Sequence, residues 1–379
     1  MKICCIADLH IGLKTYAELD NEKHLYDREI EILINFKNII NMCINKNIPI
    51  LIIAGDIYHN FQPSSNLQDE VNKILYYASQ NKLYVLILEG NHDLKKSIGS
   101  VSSLEVFDTF HISYIIHTSK FLDKELIINN ETIRFIFLPT YTNNEEIKYL
   151  LDQNIYNYKN KMIVIGHFTT QGAQLNDWLI AENEEHIDIN LFNNRNINYV
   201  ILGHLHKQQI LQKENPCIFY TGSLQRTDFN EEDQEKGYII IDTNLNQLNF
   251  YPIQTQNFYT LKIDIDKDLL QNNSIINFIK DKININKIEN SIMRVIINTI
   301  EELKLTIEEE QILRNYILDY QPKKLLFIKQ NIKDNKRSRN EQLNELLTLD
   351  KALEIFYKDQ PREEERITLG KQIINQYFN

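Results

Sequence analysis

Short, nearly continuous apolar runs recur through the first two thirds of the chain, and each breaks abruptly into acidic, amide or imidazole side chains. The run Ile48 to Ala54 within IPILIIAGDIYH is rich in β-branched residues and too short for a free-standing helix. It predicts a buried strand that stops at Gly55, with Asp56 just past its end. Four other runs behave alike: KICCIADLH breaks at Asp8 and His10, LYVLILEGNHD at Asn91, His92 and Asp93, KMIVIGH at His167, and YVILGHLH at Gly203, His204 and His206. In an open α/β sheet ligands bind outside the carboxyl ends of the strands, so the five breaks are expected at one chemically active edge.

Between these strands the period changes to that of a helix. Leu25, Ile30, Leu33, Ile34, Phe36, Ile39, Ile40 and Cys43 predict a helix within 19–46, and a second is expected from Leu67 to Ser79 after the Pro63–Ser65 turn. A short helix is expected around Leu104 to Phe110, a hairpin over 121–138 turning at Asn129 and Asn130, and a helix from Glu145. Residues 168–196 read as a polar loop over the site, and IFYTG and GYIIID as strands that close the first domain, taken as 1–250. From Phe258 a β-α-β-α-β pattern without clustered histidines predicts a second domain over 258–332. Residues 333–341 read as a charged linker, and 342–379 as two short amphipathic helices, Leu343–Tyr357 and Glu363–Tyr377, split by Pro361.

At 379 residues, 43% of them hydrophobic, the chain has enough apolar sequence for more than one core. No apolar stretch approaches the roughly 20 residues of a membrane span, and strand-like sequence begins at Lys2, so a cytoplasmic protein without membrane association is expected. Cys4, Cys5, Cys43 and Cys217 show no CxxC spacing, which argues against a disulfide framework. The formal net charge of −11 argues against a broadly basic nucleic-acid surface. Local basic sequence does occur at Lys323, Lys324, Lys329, Lys333, Lys336, Arg337 and Arg339, where a solvated face competes with a DNA groove.

Each strand-end residue alone has a bland reading: an Asp after a strand often caps the next helix, and a His in an apolar run is usually a hydrogen-bonded core residue. The joint pattern reverses this, because six of the ten histidines (His10, His59, His92, His167, His204, His206) fall at ends of predicted strands. Such a set suits a two-metal site. Asp56 is the natural bridge, with Asp8, His10 and His206 completing one ion and Asn91, His167 and His204 the other. His24, His111, His117 and His186 keep the bland reading.

DLHIG, GDIYH, GNHD, GHFTT and GHLHK, in this order, resemble the five motifs of the calcineurin-like metallophosphoesterases. Within that superfamily, Phe219 to Asp242 is similar to the segment that follows GHxH in the SbcD nucleases and their meiotic recombination 11 relatives. The resemblance implies two packed, mixed β-sheets flanked by helices, with a small α+β capping domain and C-terminal helices. It implies two divalent ions, manganese by preference, on the same seven ligands. His92 would protonate the leaving oxygen, held by Asp93, and His59 would face the phosphate; Arg226, Lys323 and Lys324 are candidate DNA or phosphate contacts.

The activity implied is a 3′-to-5′ exonuclease on double-stranded ends and an endonuclease on single-stranded or hairpin DNA. The implied partners are DNA, an SbcC-type coiled-coil ATPase bound through 342–379, and a second copy docked through the 67–79 and 104–110 segments. ATP hydrolysis would belong to the partner, since the chain has no GxxxxGK[ST] loop. Rival readings are a calcineurin-like phosphatase or small-molecule phosphodiesterase, and a DNA-end scaffold with a vestigial site. The second domain and the Phe219–Asp242 segment weigh against the first, and the intact ligand set against the second.

Overall fold

The computed structural model describes residues 1–95, 100–109, 112–154, 158–175, 178–179, 186–193, 195–265, 275–299 and 305–331. The sequence-predicted linker, the C-terminal helices and His111 lie outside these residues.

Two six-stranded mixed sheets lie face to face. In the first, Lys2–Ile6, Ile50–Ala54, Tyr84–Leu88 and Ile115–Thr118 run parallel, and Gly237–Asp242 and then Gln247–Pro252 add antiparallel beyond Lys2–Ile6. In the second, Glu131–Phe137, Lys161–His167, Tyr199–Gly203 and Cys217–Tyr220 run parallel, flanked by the antiparallel edges Leu122–Ile128 and Gln209–Gln212.

The layering follows from the two-residue period of a strand. Ile3, Cys5, Ile50, Ile52, Ala54, Leu86 and Leu88 meet Phe135, Phe137, Ile163, Ile165, Ile201 and Phe219 of the opposite sheet. The alternate residues Cys4, Ile6, Leu51, Ile53, Val85 and Ile87 pack under helices Asp27–Asn45 and Ser65–Gln80. On the far side Met162, Val164, Val200 and Leu202 are covered by Ile147 and Leu151 of helix Asn144–Asn154. Strands buried on both faces must be apolar throughout, hence the unbroken runs. The two sheets touch where Ile50–Ala54 packs on Lys161–His167 and Tyr199–Gly203, so the carboxyl ends of both sets of parallel strands open together.

The predicted hairpin forms, with Asn129 and Asn130 both at positive φ. Several expectations need correction. The first helix begins at Asp27, because Leu19–Asp20 and Leu25–Tyr26 pair as a small antiparallel ribbon and Glu29 caps the Tyr26 N–H at 2.8 Å. Strands Ile115–Thr118, Gln209–Gln212 and Gln247–Pro252 were not anticipated, and the last carries the first sheet beyond residue 250.

A separate three-stranded parallel sheet is built from Asn257–Ile265, Ser291–Thr299 and Lys324–Asn331, with helices Ile275–Lys282 and Ile307–Leu318 packed on a core of its own residues. The starts of its first two strands meet the main body through Phe258 and Ile292, which pack with Phe229 and Tyr16. Among the described residues no helix is long and apolar enough to cross a membrane. All four cysteines are free and buried.

Candidate metal centre

The five strand ends meet. Asp8, His10, Asp56 and His167 are each no more than 2% exposed. Asp8, His10, Asp56 and His204 adopt φ of 52°, 48°, 53° and 90°, a left-handed conformation that costs a non-glycine residue about 1–3 kcal/mol and clusters at functional sites. Backbone bonds hold the strained turns to one another: the Asp8 N–H donates to the Gly55 carbonyl at 3.0 Å, and the His10 N–H to that of Asp56 at 3.1 Å.

Asp56 sits in the middle of the cluster. Its Oδ2 is 3.4 Å from His167 Nε2 and 3.6 Å from His10 Nε2. Asn91 Oδ1 lies 3.0 Å from His167 Nε2 and 3.1 Å from His204 Nδ1. Asp8 accepts the His204 backbone N–H on both oxygens, at 3.0 and 3.1 Å. The rings of His10 and His206 face each other with 2.9 Å between their Nε2 atoms. The donor atoms of Asp8, His10 and His206 lie within 4.8 Å of one another, as do those of Asp8, Asp56 and His167.

This donor set fits a pair of divalent cations. Four imidazoles, two carboxylates and an amide oxygen are the mixture that borderline transition metals take. The outward nitrogens of two rings are fixed, as at metal sites generally: His167 Nδ1 donates to the Ala54 carbonyl at 2.8 Å, and His206 Nδ1 to Glu231 Oε1 at 2.7 Å. His10 turns Nε2 toward the cluster, and its outward Nδ1, buried without a hydrogen-bond partner, has no such support.

Electrostatics agree. Burial pushes Asp8 up to about 6, the neighbouring His167 and His206 only partly offsetting it. Burial also acts to raise Asp56, yet the charge and hydrogen bond of His167 hold it well below the usual carboxylate range. His167 is correspondingly pushed up to about 9: burial opposes this, and Asp56 outweighs it. Burial, with His167 beside it, brings His204 down to about 4.

His92 lies against the cluster, its ring 4.8 Å from that of His10 and stacked on His59 at 5.5 Å. Its backbone N–H donates to Asp56 Oδ1 at 2.9 Å, and its Nδ1 to the His59 carbonyl at 2.7 Å. The expectation that Asp93 holds this ring is corrected. The Asp93 carboxylate accepts the backbone N–H groups of Tyr58 at 2.8 Å and of Ile57 and Gly90 at 3.1 Å, so it clamps two turns together. Burial and the charge of Asp56 push it up to about 7.

Two of the candidate phosphate contacts are also committed elsewhere. Arg226 donates through Nε to the carbonyls of Glu231 and Glu232, and through a terminal nitrogen to Thr255 and the Gln256 carbonyl, so it braces the chain entering the three-stranded sheet. Lys323 pairs with Asp27 at 2.7 Å, tying that sheet to the first helix. Lys324 opens the strand Lys324–Asn331. His117 keeps its bland reading, buried against Glu89 at 2.7 Å. A cleft of about 510 Å³ opens beside Asn91, His167 and His204 and reaches Tyr141, which is 71% exposed.

The residue that sequence reading missed is Glu231, which orients His206 and pairs with the buried Lys236 at 2.6 Å. Nothing in the local pattern of NEEDQE distinguishes it from its acidic neighbours.

Residues 1–208 match the family model described as calcineurin-like phosphoesterase. With that match over more than half of its length, and with this fold and centre, the chain belongs to the calcineurin-like phosphoesterases, hydrolases that use divalent metal ions. Within the family it is similar to the SbcD subunit of the nuclease SbcCD of Staphylococcus epidermidis, 28% identical over 278 residues that cover 67% of this chain and 70% of that protein. It is similar also to the DNA double-strand break repair protein Mre11 of Methanocaldococcus jannaschii, 27% identical over 303 residues, 76% of this chain and 72% of that one. Among solved structures, a dimetal phosphatase from Danio rerio aligns with a TM-score of 0.41 at 10% identity, covering 63% of this chain and 91% of that one. That likeness is too distant to bear on function.

Proposed function

We propose that the protein is a manganese-dependent DNA nuclease, the nuclease subunit of an SbcCD-type complex that processes DNA ends. The observation that carries this reading is the convergence of seven donor side chains from five strand ends, with the His92 ring beside them. Asp8, His10, Asp56 and His206 would hold one ion, and Asp56, Asn91, His167 and His204 the other. When bound, such ions polarise a phosphoryl oxygen and lower the pKa of water.

The chain's own groups supply the rest. The His59 carbonyl fixes the His92 Nδ1–H, which leaves Nε2 free to carry the proton that an alkoxide leaving group needs. Proton donation of this kind contributes typically about 10²–10⁴-fold. His59, stacked on His92, would meet a phosphate oxygen. The similarity to a nuclease subunit and to a DNA double-strand break repair protein, and a separate parallel sheet that a small-substrate esterase does not need, favour DNA over a small phosphoester. On this reading 1–250 is the nuclease domain, 258–332 caps it, and 342–379, after the 333–341 linker, docks on the coiled-coil ATPase. The protein would work in the cytoplasm as a homodimer, through the 67–79 and 104–110 segments. Exonuclease action from 3′ ends and endonuclease action on single strands and hairpins are the expected activities.

The test is hydrolysis of an end-labelled blunt duplex and, in parallel, of p-nitrophenyl phosphate esters, with manganese or with chelator. The expected result is manganese-dependent shortening of the duplex that His92→Ala reduces by about 10²-fold or more. Rapid turnover of the small esters with the duplex untouched, even with an SbcC-type ATPase added, would replace the nuclease by a phosphatase. A protein that binds ends but cleaves neither substrate would be the scaffold.

A further inference from the structure

Glu231 belongs to a single 3₁₀ turn, Phe229–Glu231, that faces two ways. At its end the Glu231 carboxylate is 5% exposed and fully engaged. Oε1 accepts from His206 Nδ1 at 2.7 Å and from the Thr227 hydroxyl at 2.5 Å, while Oε2 accepts the Thr227 N–H at 3.1 Å and pairs with Lys236 Nζ at 2.6 Å. Lys236 Nζ also donates to the His206 carbonyl at 3.1 Å, so the ring and the backbone of the same histidine are both held.

At its start, two residues away, Phe229 packs against the three-stranded sheet. Its ring meets Phe258 edge-on at 5.0 Å, and the Arg294 guanidinium stands 4.2 Å above it. Arg226 links the same turn to Thr255 and Gln256, the residues that lead into Asn257–Ile265. One short turn thus connects the three-stranded sheet to the metal centre.

We infer that Glu231 is a positioning residue for His206, and that docking of Phe258 and Arg294 on Phe229 keeps it in place, so that the three-stranded sheet controls the occupancy of one of the two ion positions. This rests on the two-ion reading of the centre. A buried hydrogen-bond partner on the far side of a ligand imidazole fixes its tautomer and aim, and loss of such a partner typically costs about 10- to 100-fold in metal affinity. A displaced Phe229 would shift the backbone that carries Glu231, because Asn230 alone separates the two and the Glu232 N–H donates to the Phe229 carbonyl at 3.4 Å.

The experiment measures manganese binding by full-length protein, titrating free Mn²⁺ by electron paramagnetic resonance, beside cleavage of duplex DNA. Variants are Glu231→Ala, Glu231→Gln, the double variant Glu231→Ala/Lys236→Met and Phe258→Ala. The double variant guards against unfolding by a buried, unpaired Lys236 ammonium. Glu231→Ala and the double variant are expected to weaken one of two binding steps about 10- to 100-fold and leave the other unchanged. Glu231→Gln, which can still accept from His206, should recover most of that loss. Phe258→Ala should weaken the same step by roughly 2- to 30-fold, the size of ordinary couplings between sites.

Two wild-type binding steps in the folded double variant, or equal weakening of both, would overturn the positioning role. A Phe258→Ala protein that melts earlier but binds manganese like wild type would overturn the coupling. The binding curve does not depend on DNA cleavage. Selective loss of one step by a chain that never cuts DNA would leave this inference standing and remove the nuclease reading.

Discussion

Gly55 sits at φ +95°, and a Cβ there would overlap the His167 ring. The position joins the strand that delivers Asp56 to the imidazole that pairs with it, so both conformation and space exclude a side chain. Gly55→Ala is expected to cost about 1–3 kcal/mol from the backbone alone. It should also weaken manganese binding by pushing His167 out of line. Urea denaturation with and without manganese checks both effects, and an unchanged midpoint in both would refute the assignment. The seven side chains that meet at the centre were legible at this scale because each lies at the end of an apolar run. The partners of Asp93, Arg226 and Lys323 were not, since each has at least one partner brought up from a distant part of the chain: Tyr58, Gln256 and Asp27 respectively.

At the scale of elements, the strands of the two large sheets that escaped sequence reading share one property. Ile115–Thr118, Gln209–Gln212 and Gln247–Pro252 are all sheet edges, short and only partly covered, so none carries the continuous apolar run that marks a doubly buried strand. The edge Leu122–Ile128 was found, because its turn has a chemical signature: Asn129 and Asn130, at φ 53° and 63°, match the two left-handed positions of a two-residue hairpin. Asn130→Ala is therefore expected to destabilise the protein by about 1 kcal/mol, and Asn130→Gly to be neutral or stabilising. Chemical denaturation of the two variants in one series measures this. Equal stability of the alanine and glycine forms would mean that the turn does not set the register.

For the molecule as a whole, the cluster of buried donors makes folding and metal binding one equilibrium. Asp8, pushed up to about 6 by burial, binds more protons in the folded chain than in the unfolded one between the ordinary carboxylate range and that value. This carboxyl's contribution to metal-free stability therefore falls as pH rises through this window, while His204, brought down to about 4, contributes in the opposite sense. A divalent ion held there would take the place of the proton, so its stabilising effect should grow over the same range. The gap in melting temperature between manganese-loaded and chelated protein is expected to be larger at pH 7.5 than at pH 5, corresponding to about 2.7 kcal/mol at a hundredfold excess over Kd. A gap independent of pH would show that Asp8 does not bind the ion. The sequence by itself determined the apolar runs, hence the doubly buried strands, their order and the chemistry at their ends, because burial on both faces admits few residue types and leaves a periodic record. Only the tertiary structure decided which strands lie at the edges, which carboxylate stands behind His206, and how the three-stranded sheet reaches the centre through Phe229. Those are contacts between distant segments, set by how layers stack and not by the neighbours of any residue along the chain.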